Sequence, residues 1–222
     1  MIFYERPVSA GLLCQRSDME KTLESQYIYK GKIINVRKDK VLLPDGKTTS
    51  REVVEHRGGV CVVPVDEKGN VTLVRQYRYP IGREVLEIPA GKREEGEDPF
   101  ETARRELSEE TGLEAGRYDF LGEFLATPGY CAEKFYIYLA RDLTRHAQHL
   151  DEGEFLDVVS MPLKQAAELV WSNQIDDCKS VAGLLLGIGS SFTNETMLET
   201  YGLTGLIHQG TVIYTVLDIM NQ

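Results

Sequence analysis

Glu106, Glu109 and Glu110 are the residues of this chain whose types and spacing most suggest chemistry. A helix advances about 100° per residue, so from Glu106 the other two lie at about −60° and +40°. Three carboxylates then share one narrow stripe. Anions held so close repel one another and cost stability unless a cation joins them. A hard divalent ion with oxygen ligands is the natural neutraliser; Mg²⁺ suits phosphate substrates, with Mn²⁺ as its substitute. Arg105, one turn before Glu109, is spaced to orient it through an i,i+4 pair. A glutamate-rich helix face is by itself a common solvated surface. Here the flanking residues argue for chemistry.

The segment Gly91–Leu113 reads GKREEGEDPFETARRELSEETGL. It fits G-x5-E-x7-R-E-U-x-E-E-x-G-U, with U aliphatic, at Gly91, Glu97, Arg105, Glu106, Leu107, Glu109, Glu110, Gly112 and Leu113. This pattern resembles the Nudix box, the signature of hydrolases that cleave nucleoside diphosphates linked to another moiety. The resemblance implies a Nudix fold, in which Glu106 and Glu110 are the principal metal ligands. Glu109 is then a ligand or its support, and the carbonyl of Ala90 joins from the preceding loop.

Within that family, Pro128, 16 residues beyond Gly112, resembles the ADP-ribose pyrophosphatase subgroup. Tyr130 nearby keeps dinucleoside polyphosphate hydrolases open as an alternative. Gln76–Pro80, Glu84–Gly91 and Ser50–His56 also look like the ADP-ribose subgroup. By that resemblance Arg51 and Arg78 contact phosphates or terminal ribose, where planar guanidinium forks suit oxyanions. Gly91, Pro128 and Gly129 shape the substrate site, and Glu133 lies near the terminal ribose. The general base comes from the acidic loop Asp151-Glu152-Gly153-Glu154-Phe155, with Glu152 or Glu154 in that role. The implied reaction is Mg²⁺-dependent hydrolysis of ADP-ribose to AMP and ribose 5-phosphate. Rivals are another nucleotide sugar such as GDP-mannose, a dinucleoside polyphosphate, and a non-catalytic sensor of ADP-ribose.

These residues must be carried by a scaffold. Asp98 is a good N-cap, Pro99 suits the first helical turn, Glu101 completes a capping-box pattern and Gly112 is a natural stop. The apolar stripe of Phe100, Ala103, Leu107 and Thr111 is spaced to pack on a sheet. Strands are expected at Ile33–Leu43 and Lys47–Glu55 around Pro44-Asp45-Gly46. Further strands are expected at Val60–Val65 and Val71–Gln76 around a hairpin signal, Asp66–Asn70, and at Glu84–Ile88, Phe120–Leu125 and Phe135–Ala140. Leu163–Val170 and Asp177–Leu186 read as helices, Gly187–Ser191 as a break and Thr211–Leu217 as a strand. Strands and helices mixed without regular alternation argue for an α+β class. The expected organisation is an N-terminal β-rich dimerisation domain over residues 1–57, a Nudix hydrolase domain over 58–188 and a tail over 189–222. The resemblance implies a domain-swapped homodimer in which Arg51 serves the partner's site.

The 222 residues suffice for a core without disulfides. Lys and Arg number 25 against 35 Asp and Glu, a net charge of −10. That balance argues against nucleic acid as a partner, because duplex affinity rests on cationic surface. No apolar run reaches membrane-spanning length, and MIFYERPVSA has no secretory pattern. Cys14, Cys61, Cys131 and Cys178 show no C-x-x-C spacing, so free thiols in the cytoplasm are expected.

Overall fold

β4 (Gly59–Pro64) reads GVCVVP, a continuous apolar run. Such a run belongs to a strand covered on both faces. The computed structural model, which describes residues 19–150, 153–191, 206–208 and 211–213, shows this arrangement. Val60 and Val62 face a cluster with Ala103, Leu107, Leu113 and Ala140. Cys61 and Val63 face the larger cluster of Leu73, Ile88, Ile137, Leu139, Leu163, Ala166, Ile175 and Leu184.

The described residues divide into two units, the first comprising 19–56 with 129–131 and the second the remainder. In the first, β1 (Lys21–Lys30), β2 (Ile34–Leu42) and β3 (Thr48–His56) form an antiparallel sheet in that order. The β2–β3 turn closes at Pro44-Asp45-Gly46, where Asp45 accepts from the Lys47 N–H at 3.0 Å. Among the described residues of this unit only Asp39 and Val41 are buried, and all ten residues of β1 are exposed.

Among its described residues, the second unit has two sheets of three or more strands. One is mixed, in the order β7-β4-β9-β8, from β7 (Ala90–Lys92), β8 (Leu113–Leu125) and β9 (Lys134–Arg145), with β4 and β9 parallel. The other, antiparallel in the order β10-β5-β6, contains β5 (Asn70–Arg78), β6 (Arg83–Glu87) and β10 (Leu156–Pro162). Helix α1 (Pro99–Thr111) contributes Ala103 and Leu107 to the smaller cluster. Helices α2 (Leu163–Trp171) and α3 (Cys178–Ser191) contribute to the larger. A short ladder, β11 (Leu206–His208) with β12 (Thr211–Ile213), takes up the start of the expected 211–217 strand; the rest of that stretch lies outside the described residues.

Several expectations need correction. Val60–Val65 and Val71–Gln76 do not form a hairpin ladder: one bridge, Val65↔Val71, joins them before they enter different sheets. Both edges of β4 are already taken, by β7 and β9. β7 and β10 were not anticipated, because AGK is too short to show a period and LDVVSMP lacks strict alternation. The expected break at Gly187–Ser191 is helical. Two of the three glycines of α3 serve packing: a Cβ at Gly183 would stand 2.7 Å from Ile88 Cδ1, and one at Gly187 would stand 3.2 Å from Val63 Cγ1, whereas one at Gly189 would meet nothing. Gly183→Val should therefore destabilise the fold by about 1–3 kcal/mol through overpacking. Thermal denaturation reads this directly, and an unchanged Tm would contradict the packing account.

Candidate active site

The capping residues set where α1 begins and ends. The Asp98 side chain accepts from the Phe100 N–H at 2.8 Å, and Gly112 ends the helix in the left-handed region at φ 66°. Glu101 pairs with Arg104 at 3.4 Å along the helix surface. Phe100 is partly exposed and meets Tyr118 edge-on at 5.3 Å. The buried face of α1 is Thr102, Ala103, Leu107, Glu110 and Thr111, so one acid of the stripe lies among the core positions.

Glu110 is 4% exposed, and its Oε2 accepts the Ala90 N–H at 2.9 Å. Burial pushes its carboxyl up to about 8, with Glu106 and Glu154 adding repulsion and the Ala90 N–H opposing. Glu106 is pushed up to about 7, first by burial and then by Glu109 and Glu154, against the pull of Arg105. Glu106 lies over Gly91: a Cβ there would fall 1.7 Å from its carboxyl carbon and 1.9 and 2.0 Å from its oxygens. Position 91 thus excludes every side chain while Glu106 keeps its place. Gly91→Ala should move that carboxylate by about an ångström and lower turnover by about 10²-fold. Steady-state kinetics with circular dichroism on the folded variant would check it.

Arg105 is the hub. Its Nε and Nη2 meet the two oxygens of Glu97 at 3.1 and 3.2 Å, and Nη2 also donates to the Lys92 carbonyl at 3.2 Å. Its Nη1 lies 2.8 Å from both Glu106 Oε1 and Glu109 Oε2. Arg105 holds the Glu97 carboxyl down at about 2, helped by the Glu94 N–H. The loop before α1 is clasped to the helix through Glu97, Lys92 and Arg105.

The chain beyond β9 hooks over the C-terminal end of α1. The N–H groups of His146 and His149 donate to the carbonyls of Gly112 and Glu109 at 2.6 and 3.1 Å. Gln148 Nε2 donates to the Glu110 carbonyl at 2.6 Å. These bonds use the carbonyls that a helix end leaves without partners. No local pattern in the sequence announces them. Glu154 follows, half-buried and close enough to raise both Glu106 and Glu110. Glu152 lies outside the described residues.

Arg78 lies near enough to Glu110 to lower its carboxyl. Arg78 grips Glu87 with Nε and Nη2, both at 2.7 Å. Arg51, on β3, pairs with Glu20 at 2.5 and 3.0 Å. Pro128 and Gly129 are exposed in a turn, and Glu133 is half-buried.

Among the described residues, no three histidines, cysteines or acids converge as a ready metal cluster. Glu109 is held by Arg105. The donors nonetheless suit a hard cation: Glu110 is a buried carboxylate, Glu106 is a half-buried one that shares a single guanidinium nitrogen with Glu109, and the carbonyl of Ala90 is a further oxygen.

A sequence model of the NUDIX domain matches residues 55–178, more than half of the chain. The chain belongs to the Nudix family. Nudix proteins use a divalent metal, which the oxygen-rich donor set fits. A model described as the nucleoside diphosphate sugar hydrolase N-terminal domain matches residues 20–54 of this Nudix chain. It is 40% identical to the ADP-ribose pyrophosphatase of Bacillus subtilis, over 72% of this chain and 88% of that one. It is also 40% identical to the methanol dehydrogenase activator of Bacillus methanolicus, over 73% of this chain and 89% of that one. A crystal structure of an ADP compounds hydrolase shares the fold, with a TM-score of 0.70 at 24% identity over 82% of this chain and 96% of that one.

Proposed function

We propose that this Nudix protein hydrolyses the diphosphate of ADP-ribose, with Mg²⁺ or in its place Mn²⁺, releasing AMP and ribose 5-phosphate. The observation that carries the reading is the pair of buried Glu110 and half-buried Glu106 set against Ala90 and Gly91, in a chain 40% identical to an ADP-ribose pyrophosphatase. Glu106, Glu110 and the Ala90 carbonyl would hold the metal, which when bound polarises the phosphoryl group and acidifies water. Arg105 holds Glu106 and Glu109 in register. Glu152 or Glu154 takes the proton of the attacking water, the other serving as its companion. Arg78 offers Nη1, the nitrogen outside its clamp on Glu87, to the diphosphate. Charge gathering on the phosphoryl oxygens is met in this way by fixed cations.

Pro128, Gly129 and Glu133 are assigned to the terminal ribose side of the substrate. Arg51 is assigned to a partner's site in a domain-swapped homodimer, where substrate would replace Glu20 on its guanidinium. The fully exposed β1, with Leu23, Ile28 and Tyr29 on its surface, supports that assembly. Residues 1–57, 58–188 and 189–222 are assigned as dimerisation domain, hydrolase domain and tail. A cytoplasmic location fits the free thiols of Cys61, Cys131 and Cys178. Among the described residues no helix is long and apolar enough to cross a membrane.

The test is AMP release from ADP-ribose with Mg²⁺, beside GDP-mannose, other nucleotide sugars and dinucleoside polyphosphates. Preferential turnover of ADP-ribose supports the reading. Turnover confined to another substrate in the panel overturns the substrate assignment. Binding of ADP-ribose without any turnover overturns the enzymatic one.

A further inference from the structure

A second charged cluster lies beside the acid stripe. Glu87, at the end of β6, is 2% exposed yet takes two cations: the Arg78 fork on both its oxygens and the Lys179 ammonium on Oε2. Lys179 also pairs with Asp177 at 2.7 Å. Asp177 accepts from the Ser180 N–H at 3.1 Å and the Ser180 hydroxyl at 2.5 Å. The buried Ser180 hydroxyl in turn receives the Ile88 N–H at 2.9 Å, two residues before Ala90. The first turn of α3 is therefore wired both to Arg78 and to the strand that leads into the metal-binding loop.

The charges balance: two cations, Arg78 and Lys179, against two carboxylates, Glu87 and Asp177. Were Lys179 neutral, Arg78 alone would face both carboxylates. A guanidinium drawn onto buried anions has less field left for a phosphate, because fixed charges in a poorly solvated site act strongly on one another. We propose that Lys179 is a positioning residue that carries part of the Glu87 charge and so leaves the Arg78 guanidinium available to the substrate's diphosphate. This rests on the reading of Arg78 as a diphosphate contact in an ADP-ribose hydrolase.

The test is a double-mutant cycle on the full chain with Lys179→Met and Arg78→Ala, reading kcat, KM and the Kd for ADP-ribose in EDTA. Lys179→Met should raise KM and Kd by about tenfold, as expected for removing the support of a ligand-contacting group. It should leave kcat within about twofold, the pattern of lost uniform binding. The effect should vanish in the Arg78→Ala background, because residues acting through one another are not additive. Lys179→Arg should restore wild-type KM. Lys179→Gln, which keeps a donor but not the charge, should behave like Lys179→Met, and it replaces Lys179→Met if that variant does not fold. Equal effects in both backgrounds, or an unchanged KM in Lys179→Gln, would overturn the proposal while leaving the hydrolase reading intact. Wild-type protein that binds ADP-ribose without turnover overturns the hydrolase reading alone, and the cycle is then read on Kd. Wild-type protein that neither binds nor cleaves ADP-ribose overturns both.

Discussion

Glu106→Gln is expected to lower ADP-ribose hydrolysis by about 10³-fold or more, because a metal contributes several kcal/mol to the transition state. The fold should survive, and in EDTA the variant should be more stable than wild type in neutral buffer. Both parts follow from one observation. Glu110 is buried and Glu106, one turn earlier, is only 12% exposed at its side chain, and their carboxyls are pushed up to about 8 and about 7 from an ordinary 4.5. A carboxyl whose folded value is raised holds its proton more tightly in the native state. Its contribution to stability is full below 4.5 and is lost as pH climbs through 7 and 8. Metal-free wild-type protein should lose Tm across that window, Glu106→Gln should lose less, and added Mg²⁺ should restore wild type but not the variant. Scanning calorimetry with and without Mg²⁺, alongside AMP release, measures all of this. Retained turnover in Glu106→Gln, or a flat Tm in metal-free wild type, would refute the account.

Arg105→Ala should lower both turnover and stability, for a different reason. The side chain reaches Glu97, Glu106, Glu109 and the Lys92 carbonyl at once. Removing it leaves three carboxylates without their shared cation. Loss of one partner from a fully buried network costs about 3–5 kcal/mol; with the Arg105 side chain 30% exposed, about 2 kcal/mol is expected. Turnover should fall by about 10- to 100-fold as Glu106 and Glu109 lose their orientation. The pH signature is opposite to that of Glu106. Glu97 is held down at about 2, so its stabilisation is present above 4.5 and lost as pH falls toward 2. Arg105→Ala should therefore unfold at a higher pH than wild type during acid titration. Arg105→Lys should recover little, since one ammonium cannot span the Glu97 carboxylate and Nη1 partners together. Acid titration that does not distinguish Arg105→Ala from wild type would remove Glu97 from the argument.

What the sequence reveals follows the range of the interactions. The cap at Asp98, the stop at Gly112 and the stripe of Glu106, Glu109 and Glu110 are set within one helix, so a period of 3.6 exposes them. The apolar run of β4 shows equally well. The place of Glu110 among the core positions does not, because an acid on the edge of an apolar stripe reads as solvated until Ala90 is seen to meet it. The Arg78–Glu87–Lys179 cluster is further out of reach: Lys179 is 92 residues from Glu87, and nothing local links them. Arg78 was legible as a cation near the site, but its grip on Glu87 was not. The glycines of α3 misled for a related reason. Gly187-Ile188-Gly189 has the composition of a loop, and only the approach of Val63 shows that Gly187 makes room for a neighbour.

The way α3 meets β4 also decides where this protein can be cut. The family match ends at residue 178, the first residue of that helix. A fragment ended there would lose Lys179 from Glu87 and the Ser180 hydroxyl from the Ile88 N–H. It would also strip Leu184 and Ile188 from the core they share with Val63, Ile137 and Leu139. The piece to express is therefore longer than the stretch that the family model matches: its boundary belongs past residue 191, at the end of α3.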